Sequence, residues 1–256
     1  VANKVSLIKI GGNILNKLPL FLSHIKALYE DGNNFIIIHG GGNEVSYWMK
    51  RLGAEPKFIR GRRITDESTL KIVEMVLSGE IQGRIISEMK RFGLNTIGIN
   101  GKSIFYCKKL VFEEADLGFV GEVTDVEKEP ILILLEKCYI PVISSIGVDR
   151  DGNTYNINAD SAALALGISI PVERIIFCTD VPGIMVKRNG KDTLLPKTST
   201  EEGKRLVESG EVSEGMIPKL ESAISAIENG VKFVQIWGGD DFTKVWNFEE
   251  GTLFYS

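Results

Sequence analysis

Histidine is nearly missing from this chain of 256 residues: only His24 and His39 occur, which excludes a histidine-rich metal site. Cysteine is scarce as well. Cys107, Cys138 and Cys178 form no Cys-x-x-Cys pair, so the three are read as reduced, buried thiols of a cytoplasmic protein. No apolar run approaches the length of a membrane span. The N-terminus enters a strand at once, so no signal peptide is expected. Basic blocks are absent too: the net charge is −4 and the sequence pI about 5.5. The densest cationic cluster is Arg60, Arg62 and Arg63, which suits any anion, so nucleic acid is not expected as a partner. The run Gly-x-x-x-x-Gly-Lys followed by Ser or Thr occurs nowhere, which argues against a P-loop nucleotide-binding fold.

What is present is ordinary in bulk and specific in arrangement. With 43% hydrophobic and 25% charged residues, the composition is that of a globular enzyme. The length suits one large domain or two lobes with a real core. Apolar runs predict strands over 4–10, 35–39, 95–99, 140–144, 174–179 and 232–237. Helices are predicted near 17–31, 43–52, 67–77, 80–92, 129–138, 159–167, 200–209 and 216–229. Asp66 is a candidate N-cap, and Pro130 starts its helix. Residues 103–127 read as β-hairpins, 56–66 as a polar arginine-rich loop, and Asp151-Gly152-Asn153 and Asn189-Gly190 as hairpin turns. The alternation predicts an α/β three-layer αβα sandwich, with a mostly parallel central sheet shared by two lobes. Segment 168–174, marked by Pro171, is the candidate boundary.

Two glycine runs each follow a β-branched stretch: Lys9-Ile10-Gly11-Gly12 and His39-Gly40-Gly41-Gly42. Glycine admits close backbone approach, and free N–H groups where a helix starts attract anions. Lys9 is either a solvated edge charge or a phosphate ligand, while His39 reads as a hydrogen-bonded, partly buried histidine. In Asn156-Ile157-Asn158-Ala159-Asp160, Asn158 is a natural N-cap, whereas Asn156 and Asp160 need another explanation. Asp180 ends an apolar strand, where α/β sheets place ligand contacts. Lys219 follows Gly215-Met216-Ile217-Pro218 at a helix start, and alone would be a surface lysine.

Together with Gly61-Arg62-Arg63-Ile64-Thr65-Asp66, the stretch 116–123 and Thr179-Asp180-Val181-Pro182-Gly183, these motifs cover essentially the whole chain in order. The chain resembles the amino-acid kinase family, and within it the branch acting on N-acylated glutamate. The resemblance implies ATP-dependent phosphorylation of the side-chain carboxylate of N-acetyl-L-glutamate. Lys9 and Lys219 would then stabilise the transferring phosphoryl group and Asp160 would hold both lysines. Gly12, Gly41 and Gly42 would donate amides, and Arg63 and Asn156 would bind the substrate α-carboxylate. Asp180, Val181, Pro182, Gly183, Ile184 and Met185, with Glu211, Val212 and Ser213, would contact the nucleotide. Magnesium would bridge the phosphates of ATP, and no protein metal site is implied. A single domain over 1–256 is implied, with an N-lobe 1–170 for acid binding and dimerisation and a C-lobe 171–256 for ATP. The first strand begins near residue 4, without the extra helix of arginine-inhibited relatives, which predicts an arginine-insensitive homodimer.

The chemistry agrees with the scarcity of histidine. A carboxylate is already ionised at neutral pH and needs no general base to attack phosphorus. The protein has to align two anions and screen their repulsion. Gln82-Gly83, Asn100-Gly101-Lys102-Ser103 and Asn43 depart from the family pattern. N-succinylglutamate, a carrier-linked aminoadipate or glutamate docking on Lys57, Arg60 and Arg62, and a non-catalytic ligand sensor therefore stay open as alternatives.

Overall fold

The computed structural model describes residues 5–113, 115–188, 191–212 and 216–255. Its centre is an eight-stranded sheet. The strands in chain order are β1 (Val5–Ile10), β2 (Asn34–His39), β3 (Thr96–Ile99), β4 (Ile140–Ser144), β5 (Arg174–Cys178), β6 (Lys197–Ser199), β7 (Phe233–Trp237) and β8 (Thr252–Tyr255). They lie in the order β6-β8-β7-β5-β1-β2-β4-β3. The six strands from β7 to β3 are parallel, whereas β8 runs antiparallel to β7 and β6 follows β8.

Alternation along the strands sorts side chains onto two faces. Leu7, Ile36, Ile38, Ile175 and Phe177 join one apolar cluster with Leu166 and Leu220 of helices Ala159–Ser169 and Ile217–Glu228. Ile8, Phe35, Ile37 and Ile176 join the other with Leu22, Met49 and Ile85 of helices Leu18–Glu30, Gly42–Arg51 and Gln82–Arg91. Helix layers thus cover both faces, and the expected three-layer sandwich is the architecture found. Every residue of β2 is buried. Each fully buried Ile or Phe contributes roughly 1.5–3 kcal/mol.

Beside the sheet, strands Phe105–Lys109, Val120–Val126, Ile146–Val148 and Thr154–Ile157 close a small barrel. Its two antiparallel pairs are the hairpins expected at 103–127 and around 151–153, but their closure was not foreseen. Glycine makes closure feasible. A Cβ on Gly147 would sit 2.5 Å from Cys107 Sγ, and one on Gly121 2.6 Å from Tyr155 Cβ.

Other expectations need correction. The two helices expected over 67–92 form one continuous rod, because a π-helical segment, Met75–Ile81, joins Glu67–Glu74 to Gln82–Arg91. Asp66 caps the rod as expected, its Oδ1 accepting from Thr69 N at 2.7 Å. The arginine-rich loop is a small ribbon, with Phe58–Ile59 antiparallel to Arg62–Arg63 across left-handed Arg60 and Gly61. Strands β6 and β8 and helix Phe242–Trp246 went unforeseen. Met185–Arg188 and Lys191–Leu194 pair antiparallel, while Asn189 and Gly190, expected to turn between them, lie outside the described residues. Cys107 and Cys178 are buried, but Cys138 is exposed: it follows helix Glu129–Glu136 in a left-handed conformation, φ 56°. Among the described residues no helix is long and apolar enough to cross a membrane.

Candidate active site

The site is built where β1, β2 and β5 end, at the point where the sheet order runs outward from β1 in both directions. Open α/β sheets present their ligand crevice there. β1 runs through Gly11 into the short helix Gly12–Asn16, and β2 through Gly40 and Gly41 into Gly42–Arg51. The first helical bonds start later, from Leu15 N to Gly11 O and from Val45 N to Gly41 O. The amides of Gly12, Gly41 and Gly42 therefore have no acceptor among the described residues. The glycines serve different ends. A Cβ on Gly41 would lie 2.0 Å from Ile81 Cδ1 of the π-helical segment, so a side chain there would have to displace Ile81. A Cβ on Gly42 would meet nothing within 4 Å, so that glycine borders open space.

Lys9, Asp160 and Lys219 come together although they are far apart in the chain. Asn158 caps helix Ala159–Ser169, its Oδ1 accepting from Asp160 N at 3.0 Å and Ser161 N at 3.1 Å. Asp160 is thereby fixed in the first turn. Its Oδ1 lies 2.8 Å from Lys9 Nζ and its Oδ2 3.7 Å from Lys219 Nζ. Burial on its own pushes the Asp160 pKa up, but Lys9, Lys219 and Arg62 together outweigh it and hold the carboxyl below the usual range. Asp160 is thus ionised at neutral pH and bridges two ammonium groups.

A cavity of about 280 Å³ opens beside this cluster. Its lining includes Lys9, the glycines of both loops, Arg62, Arg63 and Asn156. Arg63 is buried; its Nη2 donates to Gly42 O and Ser46 Oγ at 2.8 Å each, and its guanidinium lies 4.7 Å from the centre of the Phe58 ring. Burial lowers its pKa, and no carboxylate pairs with it among the described residues. Its Nη1 donates to Met49 Sδ at 3.1 Å. A desolvated guanidinium without a carboxylate partner is suited to a planar carboxylate. Asn156 Nδ2 donates to Thr65 Oγ1 at 3.1 Å, which ties the barrel to the ribbon.

His39 is fully buried rather than partly so; its Nδ1 donates to Gly40 O at 3.2 Å, and burial pushes its pKa down to about 4. It is neutral at pH 7 and does not line the cavity. Arg62 and Asn43 do line it, and neither was assigned a place there from the sequence. For Arg62 no local signal was available, since neighbouring strand residues ordinarily face opposite sides and only the fold brings both arginines to the cavity.

The nucleotide candidates sit apart from that cavity. Asp180 is exposed and accepts from Thr179 Oγ1 at 3.0 Å; Val181 is half-buried and Pro182 exposed. A Cβ on Gly183 would come 2.7 Å from Leu194 Cδ1, and Ile184 is buried with its N donating to Thr252 Oγ1 at 2.8 Å. Met185 opens its strand, Glu211 O accepts from Lys187 N at 2.9 Å, and Val212 bridges to Val186. Ser213 lies outside the described residues. The sequence reading missed Gly238 nearby, whose Cβ would fall 2.1 Å from Val181 O and 2.7 Å from Thr179 O. Among the described residues no cluster of three His, Cys, Asp or Glu is placed to hold a metal ion.

Bare amides, paired ammonium groups and an ion-pairing carboxylate, on an open α/β sheet without a histidine base, define a phosphate-handling protein. The sequence profile of the amino acid kinase family matches residues 4–237, and the chain belongs to that family. It is 41% identical over 250 residues to a protein of Methanocaldococcus jannaschii named acetylglutamate kinase, covering 92% of this chain and 83% of the relative. A relative of the same name from Thermoanaerobacter pseudethanolicus is 40% identical over 242 residues, with 93% and 81% covered. Among solved structures, a Streptococcus mutans protein superposes with a TM-score of 0.81 at 28% identity over 98% of both chains. N-acetylglutamate synthase from Neisseria gonorrhoeae, complexed with coenzyme A and N-acetyl-glutamate, gives a TM-score of 0.86 at 22% identity, covering 99% of this chain and 59% of that one. That likeness is one of fold.

Proposed function

We propose that this chain transfers the terminal phosphoryl group of ATP to the side-chain carboxylate of N-acetyl-L-glutamate, giving N-acetylglutamyl 5-phosphate on the route to arginine. The observation that carries the reading is Asp160 held between Lys9 and Lys219 beside a cavity that also holds the unpaired guanidinium of Arg63. The naming of relatives about 40% identical over most of the chain supports it.

In this reading Arg63 and Asn156 grip the α-carboxylate and set the direction of the acid. The amides of Gly12, Gly41 and Gly42 meet oxygens of the acid and of the phosphoryl group. As a carboxylate oxygen bonds to phosphorus, the bond to ADP breaks and negative charge spreads over the transferring oxygens. Lys9 and Lys219 stabilise that charge, and Asp160 keeps their ammonium groups in place. No proton moves. Residues 180–185 and 211–213 hold the nucleotide on the C-lobe side, 171–256, while the N-lobe, 1–170, holds the acid. Magnesium, carried by the phosphates of ATP, neutralises part of their charge when bound.

A homodimer belongs to the same reading. Trp48, Leu52 and Met75 line an exposed, largely apolar groove between helix Gly42–Arg51 and the π-helical segment, suited to a second copy of the chain. Placement in the cytoplasm belongs to it as well. An ADP-release assay tests the function, offering N-acetylglutamate, N-succinylglutamate and aminoadipate in turn. Turnover with N-acetylglutamate well above the others is expected, and no turnover with any of them would overturn the reading. Sedimentation gives the mass of the assembly.

A further inference from the structure

One cavity cation has no task in the mechanism above. Arg62 and Arg63 are adjacent on the ribbon and both line the cavity, but they go separate ways. Arg63 is engaged by Gly42, Ser46 and Phe58. Arg62 turns toward the start of helix Ala159–Ser169, where its Nη2 donates to Ser161 Oγ at 3.4 Å. Among the described residues no carboxylate stands within ion-pair distance of it. Asp160 and Glu122 act on it only from farther away, and Glu122 is engaged by Lys108 at 3.1 Å.

A half-buried guanidinium facing inward without its own anion loses hydration and regains little. That arrangement suits a site where an anion arrives. A docking rim for an acidic carrier needs the charge at the surface, whereas this one borders the cavity and the Asp160 cluster. Charge counting points the same way. Lys9 and Lys219 against Asp160 leave one net positive charge, and Arg63 is taken by the α-carboxylate. The attacking carboxylate and the terminal phosphate both bring negative charge, and Arg62 adds the second positive charge near the point of transfer.

We infer that Arg62 is a third cation of the transfer centre, its guanidinium set against an oxygen of the migrating phosphoryl group from the acid's side. This rests on the reaction proposed above. The carboxylate oxygen gains the bond to phosphorus, the ADP oxygen leaves with the electron pair of the broken bond, and Arg62 exchanges no proton. It is then a catalytic residue whose contact strengthens as charge develops.

Steady-state kinetics of Arg62→Gln and Arg62→Lys test this. Arg62→Gln is expected to lower kcat by about 100-fold, the low end of the range for a lost transition-state donor, with KM for the acid within about threefold. Arg62→Lys is expected to recover much of the loss. A raised KM with unchanged kcat would make Arg62 a ground-state binding group and overturn the inference, as would unchanged kinetics. Calorimetry supplies a readout independent of turnover. The wild type is expected to bind ADP with aluminium fluoride and acid more tightly than ADP with acid, and Arg62→Gln to lose at least about tenfold of that preference. An equal preference in both proteins would overturn the inference. A wild type that turns over no acid counts against the proposed reaction, whereas the calorimetric comparison reports on Arg62 itself.

Discussion

The eight-stranded sheet and the four-stranded barrel differ in construction and in what they deliver. The sheet is parallel at its centre and buried on both faces, and its strand ends supply Lys9 and the glycine amides. The barrel is short, bent and closed on glycines, and it supplies Asn156. It also carries the arginine ribbon, through Thr65 N donating to Leu117 O at 2.9 Å and Phe119 N donating to Thr65 O at 2.7 Å. The contrast teaches a division of labour. In the reaction proposed above, the sheet's strand ends hold Lys9 and the amides that meet the phosphoryl group, and the barrel with its ribbon holds Asn156 and Arg63, which grip the α-carboxylate of the acid. Asp160 stands at the seam, in the helix that leaves the barrel and returns to the sheet.

If that division is right, breaking the sheet side should strike the chemical step hardest. Lys9→Ala is expected to lower kcat by roughly 10²–10³-fold, about 3–4 kcal/mol, with KM for ATP little changed. Steady-state kinetics measure it, and an unchanged kcat would remove Lys9 from the transfer centre.

The sheet side should also show its burial in the pH dependence of stability. His39 is 0% exposed, with its pKa pushed from 6.5 to about 4. Above pH 6.5 both folded and unfolded states carry it neutral, and its contribution is fully present. Between 6.5 and 4 the unfolded chain takes up a proton that the folded one refuses, so stability falls as pH falls. Across that window the loss amounts to about 3 kcal/mol. Urea unfolding of wild type and His39→Asn, compared at each pH, isolates it, since other titrations cancel in the difference. Parallel curves for the two proteins would contradict a buried neutral His39.

Breaking the barrel side should instead weaken capture of the acid. Arg63→Met keeps the bulk beside Phe58 and removes the charge. KM for the acyl-glutamate is expected to rise about 30-fold, roughly 2 kcal/mol, with kcat reduced much less. A fall in kcat equal to the Lys9→Ala effect would erase the distinction between the two regions.

The same contrast governs what could be read from the sequence. Buried parallel strands are near-continuous apolar runs, so β1, β2, β4, β5 and β7 were legible almost to the residue, and the glycines at their ends marked the site. Asn158 and Asp66 were legible as caps because their signals are local. Barrel closure was not legible. It depends on Gly121 and Gly147 meeting Tyr155 and Cys107, contacts between distant segments that leave no periodic trace. Strands β6 and β8 are short and carry polar residues such as Lys197 and Thr252, so their runs fell below recognition. The π-helical segment has helical spacing and differs from an α-helix only in its hydrogen bonds. Cys138 was expected buried because Cys usually is, yet a left-handed turn after its helix swings it outward. Arg62 was read as surface charge because a loop was expected where a ribbon turns it inward.

The mildest break falls on the joint between barrel and ribbon. Gly118 has φ +70°, and a Cβ on it would stand 2.2 Å from Thr65 O, backbone that has no side-chain freedom to yield. Gly118→Ala therefore strains the left-handed turn and pushes on the hydrogen bonds around Thr65, at a cost of about 1 kcal/mol or more in folding stability. Because Thr65 also accepts the Asn156 side chain, the ribbon should lose register with the barrel while the sheet stays intact. The expected signature is a rise of about fivefold in KM for the acid with KM for ATP and kcat nearly unchanged. Arg63 and Asn156 share this joint, so pairing Gly118→Ala with Arg63→Met should give less than the product of the separate effects. Full multiplicativity would mean that the ribbon and the barrel hold the acid independently, and the unit of specificity would then be the single side chain rather than the joined pair.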